Sequence, residues 1–135
     1  DIQNEHVEMD LATLDRINAR KTGALFKAAV IAGGQYLQMD EKKLAQLEIY
    51  AECTGKAYQI VDDLLDVEGD REKIGKNIGH DAQTGKKTYP ALCGLDQSRN
   101  KVAELYEQAM AALEESGCQS PFLKELTHFL FYRDY

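Results

Sequence analysis

The part of this sequence best suited to chemistry is the acidic motif at residues 62–66, DDLLD, which follows an apolar stretch with helical spacing. At roughly 100° per residue, its three aspartates span only about 100° of a helix, and Gln59 falls in the same arc. Neighbouring carboxylates repel one another, and a divalent cation would turn that repulsion into binding. Carboxylate oxygens are hard ligands that suit Mg²⁺, so we predict that Asp62, Asp63 and Asp66 hold this metal. Taken alone, the motif would also fit a solvated acidic helix face.

Three basic positions accompany the acidic motif, and each could contact a phosphate group. Lys21 precedes Thr22 and a glycine, while Lys76 and Lys86 each follow a glycine within the glycine-rich stretch 69–88. Glycine lets an anion approach the backbone, and ammonium groups bind phosphate oxygens. The spacing of a P-loop is absent. Each lysine taken singly is typical of a solvated surface, so the interpretation depends on their combination.

Composition limits the class of protein. The 135 residues are 44% hydrophobic and 29% charged, which suits one globular domain. A net charge of −7 argues against nucleic acid and anionic membranes as partners. Three cysteines without metal-like spacing predict buried thiols in a reducing compartment. No apolar run approaches the roughly 20 residues of a transmembrane helix and no signal peptide is evident, so we predict a cytoplasmic protein.

Apolar residues recur at helical spacing, and no useful length of sequence alternates as a strand would. The pattern predicts helices over about 11–32, 40–67 and 88–113, ended by glycines at 33, 69 and 117, and a last helix that begins after Ser120. Residues 69–88 are predicted to form a loop. The fold class predicted is therefore all-α. Because the sequence begins without methionine, we expect it to be a piece of a longer protein.

The order and spacing of the motifs resemble the C-terminal half of the trans-isoprenyl diphosphate synthases. These motifs are KTGAL at 21–25, GKAYQIVDDLLDVEGD at 55–70, GK at 75–76, GHD at 79–81 and GKKTYPAL at 85–92. Their versions look most like bacterial short-chain enzymes of the farnesyl diphosphate synthase type. The resemblance implies a helical bundle of the isoprenoid synthase type, in which residues 1–135 form the C-terminal part of one domain and the N-terminal half is absent.

The resemblance also implies a reaction. These enzymes condense isopentenyl diphosphate with an allylic diphosphate, dimethylallyl or geranyl, by ionisation, condensation and elimination to give farnesyl diphosphate. Mg²⁺ ions, for which Mn²⁺ can substitute, and lysines stabilise the charge that develops on the departing diphosphate. The two diphosphates and the N-terminal half of the same enzyme are the implied partners, and a homodimer is expected.

Family roles transfer to this sequence position by position. Asp62, Asp63 and Asp66 match the second aspartate-rich motif, with Asp62 the direct metal ligand. The implied diphosphate-binding residues are Lys21, Thr22, Gln59, Lys76 and Lys86, of which Lys21 and Lys76 also act in catalysis. The first aspartate-rich motif is not in this chain, so we expect the isolated 135-residue chain to be inactive.

Three alternatives stay open. The first is a geranylgeranyl diphosphate synthase, since product length is set largely near the missing first motif. The second is a non-catalytic partner subunit of a prenyl synthase, although a purely structural role would not need the full set of aspartates and lysines. The third is a terpene cyclase, which usually carries a different second metal motif and is therefore disfavoured.

Overall fold

Six α-helices and one π-helical turn make up the computed structural model, which describes residues 2–73 and 87–135. The helices are α1 (Ile2–Asn18), α2 (Ala24–Tyr36), α3 (Glu41–Lys73), α4 (Tyr89–Cys93), α5 (Leu95–Glu115) and α6 (Pro121–Tyr132), with the π-helical turn Ala19–Gly23 between α1 and α2. Within these two ranges there is no β-strand, so the predicted all-α class is confirmed. No helix in the described ranges is both long and apolar enough to cross a membrane.

Two glycines predicted to end helices lie inside them instead. The helix predicted to stop at Gly33 continues to Tyr36, and α3 passes through Gly69 to reach Lys73. Neither glycine adopts the left-handed conformation that stops a helix. An interior glycine costs a helix only about 1 kcal/mol relative to alanine, which neighbouring turns can offset.

The prediction of one helix over 88–113 is also wrong, because the helix is interrupted at Gly94. This residue has a φ of 86°, a conformation that favours glycine, and it separates α4 from α5. Gly117, with a φ of 76°, follows α5 as predicted. The predicted caps are present as well: the Asp40 carboxylate accepts a hydrogen bond from the backbone N–H of Lys43 at 2.9 Å, and Ser120 Oγ accepts one from Leu123 at 3.2 Å.

The core is built around α3, which packs against α2, α5 and α6. The apolar side predicted for this helix is the buried side; it includes Ala57, Ile60, Val61 and Leu64. Facing side chains come from α5 and α6, including Val102, Leu105, Leu113 and Phe131. Removing these side chains from water holds α3 in one orientation, with Asp62 and Asp66 exposed on its other side.

The π-helical turn contacts α3 where two glycines meet. A Cβ placed on Gly55 would lie 3.0 Å from the Cα of Gly23, so a larger residue at Gly55 would crowd the backbone of the turn. This contact sets Lys21 and Thr22 beside the middle of α3, next to Gln59.

Candidate active site

A cavity of about 430 Å³ lies between α1, the π-helical turn, α3 and the segment before α4. Its walls are formed by Asp10, Thr13, Leu14, Ile17, Asn18, Lys21, Gln59, Asp63, Lys87 and Thr88. Three predicted site residues therefore face one volume: Lys21 from the π-helical turn, and Gln59 and Asp63 from α3. We call it the lysine-lined cavity.

A second depression, of about 560 Å³, lies between α2 and the beginning of α3. Its walls are largely aliphatic, with Ala28, Ile31 and Leu44 among them. Lys27 at its edge is already paired with Glu48, at 2.6 Å. None of the predicted site residues within 2–73 and 87–135 lines it, so the smaller, polar cavity is the candidate site.

A short hydrogen-bond chain links the π-helical turn to α3. Thr22 Oγ1 donates to Gln59 Oε1 at 3.5 Å, and Gln59 Nε2 donates to Asp63 Oδ1 at 3.3 Å. Asp63 thereby fixes which way the Gln59 amide points, with its oxygen toward Thr22. These contacts bring together three residues that the sequence assigned to one site.

The three aspartates of the acidic motif are not equivalent. Asp62 and Asp66 lie one turn apart on the exposed side of α3, whereas Asp63 is only 5% exposed and faces the lysine-lined cavity. Across residues 2–73 and 87–135, no three histidine, cysteine or acidic side chains converge closely enough to hold a metal ion by themselves. An ion on Asp62 and Asp66 would therefore need further oxygens from water and phosphate. Mg²⁺ ordinarily binds in that way, so the donor chemistry fits this metal.

Two predicted residues, Lys76 and Lys86, lie outside the described residues. The structure adds a residue that the sequence interpretation left out, Lys87, which directly follows Lys86 in the sequence. Lys87 lines the lysine-lined cavity, with its Nζ 3.3 Å from Asp10 Oδ1. The only sequence signal for Lys87 was its place beside Lys86, and nothing in the sequence pointed to Asp10.

Behind the cavity, three polar side chains join α1, α3 and α4. Lys56 Nζ lies 2.7 Å from Asp15 Oδ2, and the Tyr89 hydroxyl donates to Asp15 Oδ1 at 3.2 Å. Burial raises the pKa of Tyr89 above its usual range, and the negative charge of Asp15 raises it further. The neutral phenol therefore remains a donor, and it anchors the start of α4 against α1.

The structure is an all-α bundle in which an aspartate-rich helix borders the lysine-lined cavity. The sequence model of the polyprenyl synthetase family matches residues 1–119, and the chain belongs to that family. The resemblance drawn from the motifs is thereby confirmed.

Named relatives point the same way. The chain is 40% identical to the farnesyl diphosphate synthase of Escherichia coli K12 over 99% of its own length and 46% of that protein. It is 42% identical to the geranylgeranyl diphosphate synthase of Cyanophora paradoxa, over 73% of this chain and 33% of that protein. A crystal structure from Marinomonas sp. MED121, assigned as a farnesyl-diphosphate synthase, superposes with a TM-score of 0.72 at 35% identity and covers 90% of this chain and 40% of that one. The chain spans less than half the length of these proteins.

Proposed function

We propose that this chain supplies the allylic diphosphate-binding part of a Mg²⁺-dependent prenyltransferase. The reaction is the condensation of isopentenyl diphosphate with dimethylallyl or geranyl diphosphate to give farnesyl diphosphate. The observation that carries the proposal is that Lys21, Gln59 and Asp63 face one cavity. Gln59 and Asp63 lie on α3, the helix that also bears Asp62 and Asp66. The names of the relatives support the reaction type.

Within this chain, binding of the diphosphate falls to the polar groups on the cavity walls. Lys21 and the Gln59 amide, both on the cavity walls, donate to its oxygens. Thr22, whose hydroxyl donates to Gln59 in this structure, is proposed to turn that donor toward the diphosphate. Negative charge accumulates on the diphosphate as the carbon–oxygen bond breaks, so a fixed cation stabilises the transition state more than the ground state. Mg²⁺ held by Asp62 and Asp66 would supply further electrophilic assistance to the departing diphosphate.

Asp63 has a different role in this proposal. It is buried, and it accepts a hydrogen bond from Gln59 Nε2. Its part is to hold the Gln59 amide at the cavity wall, while Asp62 is the direct metal ligand. Lys76 and Lys86 are proposed to add two more cations from a part of the chain outside the described residues.

The proposal also holds that the N-terminal half of the enzyme is needed for activity. The first aspartate-rich motif is not found in residues 1–135, so the chain alone is expected to lack prenyltransferase activity. A homodimer, a cytoplasmic location and the use of Mn²⁺ in place of Mg²⁺ stay predictions of the sequence. A geranylgeranyl product is the second candidate, favoured by the Cyanophora relative.

The test is prenyl transfer by the intact protein that contains this chain, with geranyl and isopentenyl diphosphates, Mg²⁺ and product identification by mass spectrometry. Asp62→Ala should lower kcat/KM by about a hundredfold or more, because it removes charge stabilisation of the leaving group. Assembly, followed by light scattering, should be unchanged. A variant that assembles poorly but turns over normally would instead indicate a non-catalytic partner subunit. Turnover by the bare 135-residue chain would contradict the missing-half proposal.

A further inference from the structure

We propose that Lys87 is an additional diphosphate-binding residue of the lysine-lined cavity, and that Asp10 holds its ammonium group in place until the anion binds. This inference rests on the proposed function and extends it by one cation. Neither residue belongs to the set that the sequence motifs assign.

The geometry places a second ammonium group on the same volume as Lys21. Lys21 reaches the cavity from the π-helical turn, and Lys87 reaches it from the segment that precedes α4. The Nζ of Lys87 lies 3.3 Å from Asp10 Oδ1, and Asp10 itself lines the cavity from α1. The ammonium group is therefore held at the wall of the cavity by a residue that shares that wall.

The backbone next to Lys87 is well anchored while its side chain is not. Thr88 Oγ1 caps α4 by accepting a hydrogen bond from the backbone N–H of Ala91 at 3.3 Å. The next residue, Tyr89, is buried and donates to Asp15 of α1 at 3.2 Å. In contrast, the side chain of Lys87 is 65% exposed and can turn.

The chemistry favours an exchange of partners. An ion pair as exposed as that of Lys87 and Asp10 is weak, because water and salt screen it. A diphosphate carries more negative charge than one carboxylate and offers several acceptor oxygens, so it competes well for the ammonium group. Asp10 thus orients Lys87 before the diphosphate binds, and the ammonium group of Lys87 then pairs with the diphosphate instead of Asp10.

The experiment is titration calorimetry of the intact protein with inorganic pyrophosphate and Mg²⁺. Lys87→Met should raise the Kd by about fivefold, the size expected for one partly exposed charge contact, and Lys87→Arg should stay within about twofold of the unaltered protein. Lys101→Met is the matched control, since Lys101 also sits in a surface ion pair, with Glu104 at 3.2 Å, but lies on α5. Its Kd should not change.

Combining variants tests the exchange itself. Asp10→Asn removes a competitor for Lys87 as well as a repulsive charge, so it should tighten binding more when Lys87 is present than in the Lys87→Met background. If Lys87 merely neutralises Asp10 and never touches the anion, the order reverses. That reversal, or an unchanged Kd for Lys87→Met, would overturn the inference.

Lys21→Met separates this inference from the proposed function. If Lys21→Met weakens binding and Lys87→Met does not, only the role of Lys87 is wrong. If the unaltered protein binds no pyrophosphate, the cavity is not a diphosphate site and both proposals fail. The same conclusion holds if Lys21→Met and the unaltered protein have the same Kd for pyrophosphate. Circular dichroism of each variant should show unchanged helical content, which excludes unfolding as the cause.

Discussion

Gly23 and Gly55 approach each other so closely that a Cβ on Gly55 would lie 3.0 Å from the Cα of Gly23. The first residue ends the π-helical turn and the second lies in α3, so their contact determines how near these two elements come. One helical turn further along α3, Gln59 meets Thr22 at 3.5 Å. The close approach of Gly23 to Gly55 thus places Thr22 beside Gln59.

Gly55→Ala tests that contact. Alanine raises helix propensity by about 1 kcal/mol, but here its methyl group meets backbone, which cannot rotate away, and overpacking of this kind costs about 1–3 kcal/mol. We expect a net loss of about 1 kcal/mol in the free energy of unfolding, measured by urea denaturation. Gly69→Ala in the same helix is the control, because a Cβ there meets nothing within 4 Å. It should gain roughly 0.5–1 kcal/mol. Equal effects at the two sites would refute the close-contact account.

Gly94→Ala should also destabilise the protein, for a conformational reason. Gly94 has a φ of 86° and open space around it, so a methyl group would not clash but would strain the backbone. We expect a loss of about 1–2 kcal/mol in the free energy of unfolding. Gly33→Ala is the control, since Gly33 lies within α2 and a Cβ there also meets nothing within 4 Å. If Gly94→Ala is neutral, the left-handed turn between α4 and α5 is not required.

The sequence predicted the helical class and the apolar side of α3 because spacing at 3.6 residues per turn is a local property. It predicted that Gly117 follows a helix, but not that Gly69 lies inside one or that Gly94 separates two. Gly69 stays within α3 whereas Gly94 adopts a φ of 86°, and the residue type alone does not distinguish them. The π-helical turn Ala19–Gly23 was missed as well, because the sequence pattern there predicted one continuous helix over about 11–32.

Much of the candidate site was predicted through its motifs, whereas its electrostatic neighbours were not. Lys21, Gln59 and Asp63 were all named from the sequence and line one cavity. The pairing of Asp10 with Lys87 joins residues that are far apart in the chain, and a single sequence gives no sign of it. The burial of Asp63 was not predicted either; this residue lines the same cavity as residues of α1.

Tyr89 predicts a pH dependence of stability at the alkaline end. Burial and Asp15 raise the pKa of its hydroxyl in the folded protein, while in the unfolded chain it titrates near pH 10. Its contribution to stability is therefore complete below about pH 10 and is lost as pH rises toward the folded pKa. Relative to Tyr89→Phe, the unaltered protein should lose unfolding free energy between about pH 10 and 11.5, measured by urea denaturation.

Tyr36→Phe is the control for that titration, because Tyr36 is 87% exposed. It should follow the unaltered protein at every pH. Parallel curves for Tyr89→Phe and the unaltered protein would mean that the Tyr89–Asp15 contact does not persist in solution.

Gln59→Glu tests whether Gln59 contributes to diphosphate binding. Gln59→Glu replaces the donor that faces Asp63 with a second carboxylate, so the two would repel at the 3.3 Å now spanned by a hydrogen bond. We expect KM for the allylic diphosphate to rise by roughly tenfold or more, since a charge-assisted contact is lost and an anion is repelled. Gln108→Glu on α5 is the matched control, and its KM should be unchanged. An unchanged KM for Gln59→Glu would remove Gln59 from the binding site.

The central claim is that the lysine-lined cavity binds the diphosphate of the allylic substrate. The most direct measurement is a crystal structure of the intact protein with a non-reactive allylic diphosphate analogue and Mn²⁺, whose anomalous signal locates the metal independently of the phosphates. We predict diphosphate oxygens within hydrogen-bond distance of Lys21 Nζ and the Gln59 amide, with Mn²⁺ bound to Asp62. A diphosphate seated elsewhere, with Lys21 in contact only with solvent, would contradict the account.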